Sequence, residues 1–384
     1  MISIQEKISI MNFIKIFFIL FVINVFLFTS CKDDDQQDPC SSTFDQIALF
    51  TNVADNIILP NYENLKSELD ELSIITQVFV TNPDENGLSG LRVAFKEAYS
   101  SWQSAAQFEF GPAEDVFLRN SLNNFPVNTN RVEFNIENEI NNFDQPDTYD
   151  QGFPALDFLL FGISGSDSVL ETVKLYRENA DKEKYKKYLT DLVVNMQTKV
   201  TNTYETWKNS YRDSFVTRTG TAAGNSLSQI INSWNQNYEL VKRNKIGVPS
   251  GVLDLNFPLP DKVEAFYSGI SSSLAIDALN ASLNLYLGVG NTGINGVGLD
   301  DFINEVNAEK NGKTLDEVIQ EQFAKALNAV SALPDPLSES IENDELPTVL
   351  AYNEITRQVV NIKTDLPSVL CISITYVDNP SDSD

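Results

Sequence analysis

The sequence predicts an all-α protein of two packed helical bundles, with little or no β structure. Three observations carry that expectation. Apolar residues recur at helical spacing over most of the chain beyond residue 44. Strand-type alternation is confined to one short stretch, Cys371 to Tyr376. Glycine and proline fall in clusters suited to helix ends rather than to hairpins.

The chain begins with an apolar run, Ile16 to Phe28, broken only by Asn24. Small residues follow, then Cys31, then Lys32-Asp33-Asp34-Asp35. A basic lead-in, an apolar stretch, small residues and a cysteine make a bacterial lipoprotein signal over 1–30. Cys31 would carry the lipid and become the first mature residue. The other reading is an uncleaved anchor, but the run is shorter than the ~20 residues a spanning helix needs. Residues 31–43 are polar and acidic and read as a tether.

Helical patterning then sets in. Leu65, Leu69, Leu72, Ile75 and Phe79 mark a first long helix, stopped at Asn82-Pro83 and Asn86-Gly87. The clearest stripe runs from Tyr185 through Leu189, Leu192, Met196, Val200 and Trp207 to Tyr211, with lysines on the other faces. Further helices are expected near 88–110, 155–162, 222–243, 261–287, 314–332 and 346–364. Gly247-Val248-Pro249-Ser250-Gly251 divides an N-terminal bundle, 44–247, from a C-terminal bundle, 260–378, with Asp261 capping the next helix. Gly288-Val289-Gly290-Asn291-Thr292-Gly293 has the spacing of a dinucleotide loop, but no βαβ unit surrounds it, so it reads as an interhelical loop. Asp300-Asp301 reads as a helix start, and Trp102, Trp207 and Trp234 as core.

Composition limits the chemistry. There are 27 basic and 54 acidic residues, a formal net charge of −27. Such a chain does not seek nucleic acid. Histidine is absent, which excludes a Ser-His-Asp triad and any His-containing zinc site. Besides Cys31 there are two cysteines, Cys40 and Cys371. In an oxidising compartment they could pair and join the two ends of the mature chain; the alternative is two separate thiols.

The stretch Gly152-Phe153-Pro154-Ala155-Leu156-Asp157 concentrates the chemical interest. Pro154 suits a first helical turn. Asp157 lies near it among apolar residues, so its carboxylate needs a partner; Arg119 and Arg131 are the ones the sequence offers. Glu109, Glu114 or Glu133 near Asp157 could complete an oxygen site for a hard cation. The bland alternative is a structural hydrogen bond or ion pair at a helix start.

Here the chain resembles the imelysin family, imelysin-like lipoproteins classed with metallopeptidases. The resemblance is carried by Trp102, Phe108-Glu109-Phe110-Gly111-Pro112-Ala113-Glu114, Leu118-Arg119 and Asn124-Phe125-Pro126. It continues in Gly152 to Asp157, where the family has Gly-x-His-x-x-Glu, and in Lys363 to Ser368 with Ile374 to Asp378. It implies two helical bundles with a cleft near the motif, and an extracytoplasmic lipoprotein linked to iron acquisition. Pro154 stands in the His position and Asp157 in the Glu position, so a His/Glu metal centre cannot form. The Lys32 and triple-Asp cluster resembles the surface-export signal of Bacteroidetes lipoproteins. The expectation is therefore an outer-membrane, surface or periplasm-facing lipoprotein that binds a ligand without catalysis. Iron, haem or another cation is the implied cofactor, and an iron-uptake receptor or other envelope protein the implied partner. An imelysin-type metallopeptidase or a structural surface protein are the alternatives.

Overall fold

Asp45 opens the first helix: its carboxylate accepts the N–H of Ala48 at 3.0 Å. The computed structural model of the chain describes residues 43–143, 145, 148–255 and 257–376. The expected signal segment, residues 1–30, and Cys31 and Cys40 lie outside the described residues. Helix α1 (Gln46–Asn52) passes through a π-helical stretch, Val53–Ile58, into α2 (Leu59–Thr81). Buried Leu65, Leu69, Leu72 and Phe79 form the expected stripe on α2. Asn82 ends it, and α3 (Glu85–Ala105) follows at once. Asn86-Gly87, expected as a stop, is instead the first turn of α3. Asp84 caps that turn by accepting the Gly87 N–H at 2.7 Å.

Short helices α4 (Leu118–Leu122), α5 (Thr129–Glu137) and α6 (Gly152–Asp157) come next, the last running into a π stretch, Phe158–Gly162. Then α7 (Val169–Arg177) leads to α8 (Lys182–Thr206), a π stretch Trp207–Tyr211 and α9 (Arg212–Thr217). Helix α8 lays its predicted stripe, Tyr188, Leu189, Leu192, Met196 and Val200, into the core, packing on α2. Helix α10 (Ser226–Leu240) continues as a π stretch, Val241–Gly247. After it lie α11 (Ser271–Tyr286), α12 (Leu299–Glu305), α13 (Leu315–Ser331), α14 (Leu337–Asn343), α15 (Leu346–Val359), a π stretch Val360–Asp365 and α16 (Leu366–Val369). The strands β1 (Glu309–Lys310) and β2 (Lys313–Thr314) form one antiparallel hairpin, Glu309 opposite Thr314. The all-α expectation holds.

Two aromatic clusters centre the packing. Trp207 meets Tyr211, Phe215 and Phe110 with ring centroids 4.7, 5.2 and 5.6 Å away. Trp234 meets Tyr286 and Phe323 at 6.2 and 6.5 Å. All three tryptophans are buried, as expected. Helix α11 packs on α3, so the segments before and after Gly247–Gly251 share contacts. The described residues from Phe44 onward form one compact unit. Among the described residues no helix is long and apolar enough to cross a membrane.

Three expectations are corrected. Residues 261–270 are not helical: a 3-10 turn, Pro260–Lys262, and further turns precede α11, so Asp261 caps no long helix. Residues 372–376 form no strand. They dock instead on Asn232, which accepts the Thr375 N–H at 2.6 Å and donates to the Ser373 carbonyl at 3.0 Å. The third concerns the last helix of the first half, which starts at Ser226 rather than near 222.

The glycine-rich segment after α11 is an interhelical loop, as expected. Asn52 donates to the carbonyls of Gly288 and Val297 at 2.8 and 3.0 Å. A Cβ on Gly290 would sit 2.3 Å from the Asn56 carbonyl oxygen, so backbone crowding explains that glycine. Asp301 accepts the Gly298 N–H at 2.9 Å and starts α12. Cys371 is disulfide-bonded; both other cysteines, Cys31 and Cys40, lie outside the described residues.

Candidate functional site: the motif cavity

Helix α6 carries the motif. Gly152 begins it with φ +71°, and a Cβ there would lie 2.2 Å from the Leu122 carbonyl oxygen. Only glycine lets α6 press against α4 in this way. Pro154 and Asp157 face a cavity of about 230 Å³, whose other walls include Phe125, Pro126, Val127, Asp261–Val263 and Ala265–Tyr267. Phe266 and Tyr267 stand edge to face there, centroids 5.1 Å apart.

Asp157 is 2% exposed. Its Oδ2 accepts the Tyr267 N–H at 2.8 Å and its Oδ1 accepts the Ser268 N–H at 2.9 Å. Burial raises its pKa to about 6, against the lowering effect of these hydrogen bonds and of Lys96. The partners expected from the sequence are thus corrected. Arg131 pairs with Asp150 at 3.3 Å and is half exposed. Arg119 donates to Gln236 Oε1 at 3.0 Å and to the Ala106 carbonyl at 2.9 Å. Neither arginine is what compensates Asp157.

Glu109 is also engaged elsewhere. Both its carboxylate oxygens accept the Arg119 N–H, at 3.1 and 3.0 Å. Burial raises its pKa to about 7. Glu114 and Glu133 are exposed. The carboxylates considered for a cation site are therefore not gathered at Asp157. Among the described residues no cluster of three metal-ligating side chains occurs. Pro154 has no side-chain ligand atom, and among the described residues no set of further ligands joins Asp157, so the metal centre of a metallopeptidase does not fit these residues.

A buried polar network beside this cavity escaped the sequence reading. Lys245 pairs with Glu264, and Gln103 Oε1 accepts from Lys245 at 2.8 Å. Asn123 donates to Glu264 at 2.8 Å and accepts from the Tyr99 hydroxyl at 2.7 Å. Burial lowers the pKa of Lys245, opposed by Glu264. The sequence signal was weak: Lys242-Arg243-Asn244-Lys245 looks like a solvated charged run.

The Imelysin family model matches residues 58–361. The chain belongs to the imelysin family. One imelysin relative, Iron-regulated protein A of Synechococcus elongatus, is 22% identical over 313 residues, 77% of this chain and 79% of that protein. A crystal structure of an iron-regulated protein A precursor from Parabacteroides distasonis superposes with a TM-score of 0.68 at 18% identity, covering 86% of this chain and 96% of that one. An imelysin-like protein from Psychrobacter arcticum gives a TM-score of 0.65 at 17% identity, covering 88% and 98%. These likenesses show the imelysin fold over nearly the whole described chain. In this family member Pro154 and Asp157, the residues expected at the family's motif, line the cavity.

Proposed function

We propose that this imelysin-family chain is a non-catalytic, ligand-binding lipoprotein of the cell envelope that serves iron or haem acquisition. Lipid on Cys31 would hold it at the outer membrane, and an iron-uptake receptor or other envelope protein would be its partner. The similarity to Iron-regulated protein A supports the iron setting. The observation that carries the non-catalytic part is the isolation of Asp157: each oxygen accepts a backbone amide, no other metal-ligating side chain joins it among the described residues, and the neighbouring motif position is proline. With no histidine in the chain, the residues needed to activate a water beside a metal are missing from the motif. The cavity offers ring faces from Phe125, Phe266 and Tyr267 and charges from Asp261 and Lys262, which suits holding more than cutting.

The test pairs growth with chemistry. Deleting the gene should slow growth when iron is scarce and leave iron-replete growth unchanged. Purified protein should carry no stoichiometric zinc and cleave no member of a broad peptide library. Chelator-sensitive cleavage that Asp157→Ala abolishes would overturn the non-catalytic reading, and unchanged growth on scarce iron would overturn the iron reading.

A further inference from the structure

A second cavity, of about 200 Å³, lies between α3, α4, α10 and the π stretch Val241–Gly247. Its lining contrasts with the rest of the molecule. The chain carries 54 acidic and 27 basic residues, yet the lining holds Arg119 and Lys245 and no carboxylate. Amide side chains supply most of the remaining polar wall, with Trp102 and Phe125 as flat apolar surfaces.

Several donors here lack acceptors. A guanidinium has five N–H groups. Arg119 spends one on Gln236 and one on the Ala106 carbonyl, and its buried Nε has no partner; the charge acting most on it is Glu109, whose carboxylate accepts the Arg119 backbone N–H rather than a guanidinium N–H. The indole N–H of Trp102 is also without a partner, but it and the Arg119 Nε are enclosed by protein, so a ligand would meet the outer guanidinium nitrogens and the amides instead. Asn237 is 6% exposed, lines the cavity, and its side chain forms no hydrogen bond among the described residues. Buried polar groups cost stability unless something satisfies them. What is missing is an acceptor for the spare N–H groups of the guanidinium, and a cationic donor favours a charged one. A planar guanidinium matches a carboxylate better than it matches a neutral hydroxyl.

We propose that the cavity lined by Gln103, Arg119, Gln236, Asn237, Asn244 and Lys245 binds a small carboxylate-bearing molecule, its carboxylate received by Arg119 and its other oxygens read by the amides. The inference stands apart from the iron reading and from the motif cavity, and neither failure would imply the other.

Calorimetric titration of the purified full chain with succinate and with citrate tests it, with glucose and inorganic phosphate run in parallel. Saturable one-to-one binding of at least one carboxylate is expected, with no heat from glucose and weaker binding of phosphate. Asn237→Leu removes an amide that has no protein partner, so it should weaken that binding about tenfold or more while the melting temperature stays the same. Arg119→Gln should abolish binding. No saturable heat from either carboxylate at millimolar concentration overturns the proposal. So does tighter binding of glucose or phosphate, or carboxylate binding that Asn237→Leu leaves intact.

Discussion

Lys245 and Glu264 form an ion pair with 8% and 0% of their side chains exposed. They join the π stretch after α10 to the loop that closes the motif cavity. Removing one partner leaves a buried charge without compensation. Glu264→Leu should therefore cost about 3–5 kcal/mol of unfolding free energy in urea titration. The double variant, Lys245→Met with Glu264→Leu, should recover most of that loss. A single variant as stable as the parent would show that water reaches the pair.

Asp157 acts as a staple between α6 and the loop at Tyr267-Ser268. An asparagine has one acceptor oxygen and turns an NH₂ group toward the second amide. Asp157→Asn is expected to lower stability by about 1–3 kcal/mol, read by thermal unfolding. It should also speed proteolysis within 261–270. An unchanged melting temperature would remove the structural role assigned to the carboxylate.

Gly152 tolerates no side chain at its observed backbone. Gly152→Ala combines a positive φ with a collision against the Leu122 carbonyl. The expected loss is at least about 2 kcal/mol. Gly165→Ala is the control: it shares a positive φ but meets open space, so it should cost less. Equal losses at both positions would mean that the α4–α6 contact is looser than described.

Stability should fall as pH rises from about 4 to about 7. The ordinary carboxyl values of Asp157 and Glu109, 3.8 and 4.5, are raised on folding to about 6 and about 7 by burial. The folded chain then holds protons that the unfolded chain has already released. Their contribution is complete below the unfolded values and disappears as pH passes the folded ones. For Asp157 the span corresponds to about 3 kcal/mol at most. Glu109→Gln should flatten the fall between pH 4.5 and 7 in a series of denaturant titrations; a slope identical to the parent's would contradict the burial of Glu109.

The helices were legible where one face is buried along its whole length. On α8 the spacing of Leu189, Leu192, Met196 and Val200 leaves little choice, because any other pitch would expose them. Asp301 was legible as a helix start because capping is local. The segment 261–270 misled for a physical reason: a helix there would consume the N–H groups of Tyr267 and Ser268, which Asp157 takes instead. Positive φ angles at Ala265 and Gly269 accompany that path. The segment 372–376 alternates like a strand in sequence, yet backbone groups of Ser373 and Thr375 are met by a side chain, Asn232, rather than by a sheet edge. The motif residues were found, but their partners were not. Asp157 is completed by backbone amides some hundred residues away, and every residue but proline carries such an amide. Arginine looked the better partner because charge is visible in a sequence and an oriented backbone is not.

The π-helical stretches carry a consequence for tracing ancestry. Each one holds a residue more than an α-helical path would need, and one added residue turns everything beyond it by about 100° around the axis. Homologues that gained or lost such an insertion will align smoothly by letters while their walls are rotated out of step. The stretch Val241–Gly247 is where this matters most, because it delivers Lys245 to the interior. Descendants of a common ancestor are better matched there by the chamber a residue faces than by its column in an alignment.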